Sequence, residues 1–202
     1  HAYVNDVCPT KPGDFVLIHA AAGGTGTFMV QFAKQIGLNV IGTVGSDEKI
    51  NIAKKNGADY VINYTKENFV ERVKEITNGN GVRFVLDGVG KTTADGSMKS
   101  LSQRGYLVLV GNASGPVDPI DPLVLTQHGS IFVTRPTLKH YVSTRQEFLT
   151  RWDNIINAVR QYNMNIPIAA RYTLDDIVKA HEAIQSRSLT GKIIIQINPD
   201  LN

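Results

Sequence analysis

The sequence predicts an α/β protein: a doubly wound parallel sheet of six strands, order 3-2-1-4-5-6, followed by an α/β return segment. Three observations point there. Residues 15–26, FVLIHAAAGGTG, read as a short apolar strand, a glycine turn and the start of a helix. Further strand-like runs at 39–44, 60–64, 82–88, 105–111 and 130–134 are separated mostly by segments of helical spacing. Strands alternating with helices in this way form a parallel sheet covered on both faces, and right-handed crossovers favour the doubly wound order. Beyond Pro136 the alternation changes character.

Taken in order, residues 1–10 read as the end of an earlier element, and Lys11-Pro12-Gly13-Asp14 as the turn launching the first strand, 15–20. The helix at 25–36 carries Met29, Phe32, Ala33 and Ile36 on one face, and Gly37 fits its stop. After the strand at 39–44, Ser46 or Asp47 caps a helix through Lys55, ended by Asn56-Gly57. Thr65 is expected to cap the next helix, with Phe69, Val73 and Ile76 on one face and Gly79 closing it. A helix at 92–101 precedes the fifth strand, and a short one at 121–127 precedes the sixth. Thr144-Arg145-Gln146-Glu147 is a capping box, and the helix after it aligns Phe148, Trp152, Ile155, Ile156, Val159 and Tyr162. A strand at 168–172 follows. The next helix is capped by residues 173–176 and is expected to turn Ile177, Ala180, His181 and Ile184 inward. The last strand is 192–197. The chain therefore divides into a sheet domain, 1–135, and a return segment, 136–202, too short for an ordinary independent domain.

With 42% hydrophobic and 19% charged residues, the 202-residue chain has enough apolar material for a core, which excludes a disordered class. Its net charge of +3 comes without a lysine/arginine run, so nucleic acid is not indicated. Cys8 is the only cysteine, which leaves no internal disulfide and no cysteine-based zinc site and suggests a reducing, cytoplasmic setting. No apolar run reaches 18 residues and none reads as a signal peptide, so a soluble protein is expected. The chain begins at His1 rather than methionine and reads as a processed chain or a fragment. No H-E-x-x-H, C-x-x-C or G-x-S-x-G occurs, and the five histidines are scattered, so neither a catalytic residue nor a metal site is expected.

The chemistry lies in the glycine turn. Ala21, Gly23 and Gly26 occupy the three positions of G-x-G-x-x-G between a strand and a helix. Glycines let the backbone approach a pyrophosphate, and the free N–H groups of the helix start bind its charge. A dinucleotide site is thus expected at the carboxyl ends of strands one and four. An NAD site normally puts a carboxylate at the end of strand two. Here that strand ends Val44-Gly45-Ser46: Gly45 leaves room, Ser46 offers a hydroxyl and Lys49 adds charge, which predicts NADP. Asp47 and Glu48 read as favourable charge in a helix's first turn. Tyr64 could meet the adenosine, Asn112 the nicotinamide carboxamide, and Arg187 a phosphate. Each also has a plain reading: strand-end aromatic, strand-to-loop turn and surface arginine, as Lys49 has that of a surface lysine.

Together, VLIHAAAGGTG, IGTVGSDEKINIAKKNGADYVINY, VLVGNASGPVDP and IFVTRP resemble the NADPH-dependent quinone oxidoreductases. These are the zeta-crystallin-like, zinc-free branch of the medium-chain dehydrogenase/reductase superfamily, and the resemblance covers nearly the whole chain. It implies a Rossmann sheet, NADP(H) as cofactor and hydride transfer to a quinone or related conjugated carbonyl. By the resemblance, Gly23, Gly24, Thr25 and Gly26 hold the pyrophosphate. Ser46, Lys49 and Tyr64 hold the 2′-phosphate end. Asn112, Ala113, Phe132, Val133 and Thr134 lie along the nicotinamide half, and Arg187 comes in from the return segment.

Members begin with a GroES-like β domain that has no counterpart before His1, so the chain is expected to be the second part of such an enzyme. The return segment would pack on that missing catalytic domain, leaving an apolar patch around the 148–162 helix or the final strand. The resemblance also implies a homodimer through edge strand 130–134, where Ile131, Phe132 and Val133 follow without proline or charge. Three rivals remain: an alkenal or enone reductase of the same branch, a non-catalytic NADPH- or nucleic-acid-binding crystallin-like protein, and a truncated product with no activity of its own.

Overall fold

Val16, Leu17 and Ile18 are fully buried in β1 (Phe15–Ile18), and this strand lies in the middle of a six-stranded sheet. The computed structural model describes residues 1–186, 189 and 191–197. The other sheet strands are β2 (Asn39–Val44), β3 (Tyr60–Asn63), β4 (Val82–Asp87), β5 (Leu101–Leu109) and β6 (Phe132–Thr134). All neighbours pair in parallel in the order β3-β2-β1-β4-β5-β6, as the alternation predicts. Central strands of a parallel sheet are covered on both faces, so their runs are continuously apolar rather than alternating. β1, β2 and β4 show this, being buried at nearly every position.

Between the strands lie α2 (Gly26–Gln35), α3 (Ile50–Lys55), α4 (Phe69–Ile76), α5 (Ala94–Lys99) and α6 (Pro122–Gln127); α1 (Ala2–Asn5) precedes them and packs on α2. α7 (Arg145–Gln161) starts at the expected capping box, with both reciprocal bonds formed between Thr144 and Glu147. The chain divides into two compact units at Tyr162/Asn163, so α7 belongs to the first unit, whereas the sequence reading grouped it with the tail. The second unit holds β7 (Ile168–Thr173), α8 (Ile177–Gln185) and β8 (Lys192–Gln196), a parallel pair joined by a helical crossover.

Several boundaries differ from expectation for identifiable reasons. Thr65 does not cap α4: its N–H and hydroxyl both bond Asn63 Oδ1, and Asn68 caps instead by accepting Val70 N–H at 3.0 Å. The expected 92–101 helix is only Ala94–Lys99, because the chain turns extended at Leu101, which pairs with Val82. Arg104, at φ +55°, then interrupts the register before Tyr106 pairs with Phe84. β6 starts two residues late, since Ser130 takes φ +57° and Ile131 N–H bonds Leu125 O. Of the four residues expected to turn inward on α8 only Ala180 is buried; Ile177, His181 and Ile184 are exposed.

Where β1, β2 and β4 end, the apolar sheet gives way to a buried polar cluster. His19 contacts Thr43 Oγ1 at 2.9 Å through Nδ1 and Ser97 Oγ at 3.0 Å through Nε2. Ser97 donates to Asp87 Oδ2 at 2.8 Å, and Thr93 Oγ1 reaches the same carboxylate at 2.8 and 2.9 Å. Asp87 Oδ1 also accepts the N–H groups of Val89 and Gly90, both at 2.9 Å. Satisfied in this way, buried polar groups fix the loops around them; left unpaired they would be costly.

Burial lowers the His19 pKa from its ordinary 6.5, against the opposing pull of the Asp87 charge. An unfolded chain therefore binds a proton at this ring before the folded chain does. The stability tied to neutral His19 is whole above pH 6.5 and is lost as pH falls, until the folded ring itself protonates. The slope is at most about 1.4 kcal/mol per pH unit. Urea midpoints measured on acidification are expected to fall more steeply for the native chain than for His19→Gln, which has no titrating ring there. Equal slopes would refute this account.

Candidate functional site

The site is built from the turn that follows β1. His19 N–H still bonds Leu86 O, but Ala20 then takes the left-handed conformation, φ +52°, and turns the chain back. Ala21 N–H reaches Thr43 O at 3.0 Å and Gly23 N–H reaches Ala20 O at 2.8 Å. α2 begins three residues later, and its first turn lies against the end of β1. A Cβ on Gly26 would sit 2.1 Å from Ala20 O, so only glycine permits this approach. Gly24 is the opposite case: nothing lies within 4 Å of where its Cβ would be. Among the described residues, the N–H groups of Gly24, Thr25 and Gly26 donate to no backbone carbonyl. Free amides at a helix start, beside open space, are what a diphosphate needs.

The end of β2 forms a second wall. Tyr64 lies over Gly45 so closely that a Cβ there would be 2.8 Å from the phenol oxygen. Ser46 is extended and its hydroxyl makes no capping bond to the 3₁₀ turn it opens, Asp47–Lys49. Lys49 N–H bonds Ser46 O at 3.2 Å, which keeps both residues in one turn. The Asp47 carboxylate takes Asn63 Nδ2 at 2.6 Å and the Lys66 ammonium. The hydrogen bond from Lys66, then that from Asn63, lowers its pKa. Asp47 is thus engaged at the end of β3 as well as lying in a first helical turn. Gly45, Ser46, Lys49 and Tyr64 thus lie together at the end of β2.

The third wall follows β4 and β5. Ala113 N–H bonds Gly88 O at 3.2 Å, Ser114 N–H bonds Val89 O at 2.8 Å, and Ser114 Oγ donates to the same oxygen. Asn112 is exposed on this loop and its Oδ1 accepts Arg135 Nη1–H at 3.0 Å. Residues 132–134 form no single wall. Phe132 stacks on Tyr106, centroids 4.6 Å apart, and Val133 packs into the core. Thr134, paired with Val108, is the member nearest the sheet's carboxyl edge. Arg187 lies outside the described residues.

Sequence reasoning missed Arg135 and the buried cluster below the turn. The one signal for the cluster was a single polar residue, His19 or Asp87, closing an otherwise apolar strand. The expected apolar patch is present on α7. Phe148 and Trp152 stack 6.4 Å apart, each about half exposed. With Phe28, Met29, Leu138 and Ile155 they line a groove of about 260 Å³. Among the described residues no group of His, Cys, Asp and Glu is placed to hold a metal ion. No described helix is long and apolar enough to cross a membrane.

The chain is 43% identical over 187 residues to a quinone oxidoreductase of Salmonella typhimurium, covering 92% of this chain and 57% of that protein. It is 42% identical to a 2-haloacrylate reductase of a Burkholderia species, with 92% and 56% covered. A crystal structure of Escherichia coli quinone oxidoreductase complexed with NADPH superposes with a TM-score of 0.89 at 39% identity, covering 97% of this chain and 61% of that one. The chain therefore spans somewhat more than half the length of these relatives. The family model described as zinc-binding dehydrogenase matches residues 24–157, from the glycine turn into α7, and the chain belongs to that family.

Proposed function

We propose that this chain binds NADPH and forms the nucleotide-binding part of an oxidoreductase that reduces a quinone or a related conjugated carbonyl. The observation that carries the reading is a glycine turn with free amides facing a β2 end that has Gly45, Ser46 and Lys49 where a ribose-binding carboxylate would stand. The amides of Gly24, Thr25 and Gly26 hold the diphosphate. The Ser46 hydroxyl and the Lys49 ammonium hold the 2′-phosphate, and Tyr64 flanks the adenosine. Asn112 and Ala113 orient the carboxamide end, with Thr134 beside them. NADPH, when bound, supplies the hydride. The relatives support the reading, being quinone oxidoreductases, one of them complexed with NADPH.

In this reading Asn112, Ala113 and Thr134 bind and orient the cofactor's hydride end, and that is this chain's contribution. The family's description carries zinc, but the donor set here does not fit it. Cys8 is buried and its thiol is pushed up to about 11, chiefly by that burial. No step is assigned to a metal.

A second reading concerns the acceptor. The Arg135 guanidinium, seated on Asn112, puts positive charge at the carboxamide end, which suits a carboxylate-bearing alkene such as the 2-haloacrylate of the Burkholderia relative. NADPH oxidation assayed separately with a quinone, an alkenal and 2-haloacrylate separates the acceptors. The edge position of β6, with Phe132 half exposed, supports pairing with a second copy along 130–134. Sedimentation is expected to give a dimer at micromolar concentration and a monomer for Phe132→Lys.

Two substitutions test the cofactor site itself. Gly24→Val fills only open space, so it should leave the thermal midpoint unchanged while removing NADPH binding; retained binding would refute the cradle. Lys49→Ala is expected to weaken NADPH about fivefold to tenfold and NADH hardly at all, as loss of one charge-assisted contact implies. Equal loss of both cofactors would argue for NAD-type recognition.

A further inference from the structure

The buried cluster below the glycine turn has no part in the binding scheme above. His19, Thr43, Asp87 and Ser97 are each at most 1% exposed, so no ligand touches them. Their hydrogen bonds nevertheless run in one direction. The Asp87 carboxylate only accepts, so Ser97 O–H donates to it. The Ser97 oxygen then accepts from His19 Nε2–H, and His19 Nδ1 accepts the Thr43 hydroxyl proton. With the Ser97 proton spent on Asp87, Nε2 must carry a proton; burial disfavours a charged ring, which leaves the neutral Nε2–H form with Nδ1 accepting from Thr43, and the edge-on Phe69 ring, centroids 5.0 Å apart, packs against it.

Each member of this chain is tied to one loop of the site. His19 directly precedes the glycine turn. Thr43 accepts Ala21 N–H through its carbonyl, and Gly45 and Ser46 follow it two and three residues on. Asp87 holds the N–H groups of Val89 and Gly90, and Gly88 and Val89 in turn carry the Asn112–Ser114 loop.

We propose that His19 is a positioning residue for the dinucleotide: its imidazole registers the diphosphate turn with the adenosine-end loop through Thr43, and with the nicotinamide-end loop through Ser97 and Asp87. The inference rests on the NADPH reading of the site. Three loops held in advance in their bound arrangement need less ordering when the ligand arrives, which appears as affinity. The two arms of the imidazole serve different halves of the ligand, and that division separates positioning from mere structural support.

The test titrates NADPH and adenosine 2′,5′-bisphosphate into the full 202-residue chain and two variants, with thermal midpoints recorded alongside. Thr43→Val, which cuts the adenosine arm, is expected to weaken both ligands about tenfold. Ser97→Ala, which cuts the other arm, is expected to weaken NADPH to a similar extent and leave adenosine 2′,5′-bisphosphate unchanged. Unchanged affinities in both variants, or equal losses of both ligands in Ser97→Ala, overturn the proposal. Should a variant fail to fold, ¹⁵N imidazole NMR of the unaltered chain decides: a neutral Nε2–H His19 whose signals move on adding NADPH supports it. An Nδ1–H ring, a charged ring or signals blind to NADPH overturn it. Failure of the unaltered chain to bind NADPH overturns the cofactor reading and this inference together, whereas tight binding with matching variants overturns the inference alone.

Discussion

The approach of α2 to the end of β1 governs the site. There is no room for even one methyl group between Gly26 and the Ala20 carbonyl. At that distance the start of α2 is held against the turn, and the amides of Gly24, Thr25 and Gly26 are left without backbone partners beside open space at Gly24. An anion placed there meets both unpaired N–H groups and the positive end of the helix dipole. A larger residue at position 26 would push α2 away from the strand, and the amides at its start would lose their place beside the turn. Ala20 accepts a left-handed conformation to make the turn this tight, a strain usually carried by glycine and concentrated at functional turns.

A turn packed so closely on a sheet edge needs support from beneath, and here that support is polar. An apolar core would fill the space equally well and avoid the desolvation of Asp87 and His19. What apolar packing would not supply is direction. The Asp87 carboxylate holds two successive amides, one hydroxyl from Thr93 and one from Ser97, so the loop after β4 has one available position. The cluster draws on β1, β2, β4 and α5, and it fixes the relative heights of the loops leaving the three strands. Partial satisfaction would be worse than none, because an unpaired member would be stranded in a low dielectric. Each of these side chains has its partners.

The sheet was legible because β1, β2 and β4 are buried on both faces and so announce themselves as apolar runs. The boundaries that were missed turn on single side chains competing for a bond. Thr65 looks like a helix cap, but Asn63 takes both its donors and leaves the capping to Asn68. Arg104 in a left-handed conformation is invisible to propensity, yet it lets β5 begin at Leu101. His181 shows a limit of periodicity: helical spacing says which residues share a face, not whether anything covers it. The glycine turn was readable because its chemistry belongs to the backbone, and backbone chemistry leaves its mark in glycine spacing. The His19 cluster was not, since its members are 24 and 78 residues from His19 along the chain and meet only after the sheet has formed.

Discrimination at the end of β2 cannot come from attraction alone. Lys49 is exposed, so its ammonium can add about 1 kcal/mol, that of a single charge-assisted contact, part of it screened by salt. The larger effect is the absence of an opposing charge. A carboxylate at position 45 or 46 would accept from a free ribose but repel a phosphate, and specificity often rests on such a repulsive element. The nearest acidic side chain in sequence, Asp47, is drawn to Asn63 and Lys66 on the β3 side, which neutralises it. Gly45 adds a steric condition, because only its missing side chain lets Tyr64 lie across the strand end. Replacing Gly45 would therefore act twice, displacing the phenol and narrowing the space for the phosphate. On the proposed NADPH reading, the preference would rest first on what β2 omits at its end, at Gly45 and Ser46, and second on the Lys49 charge.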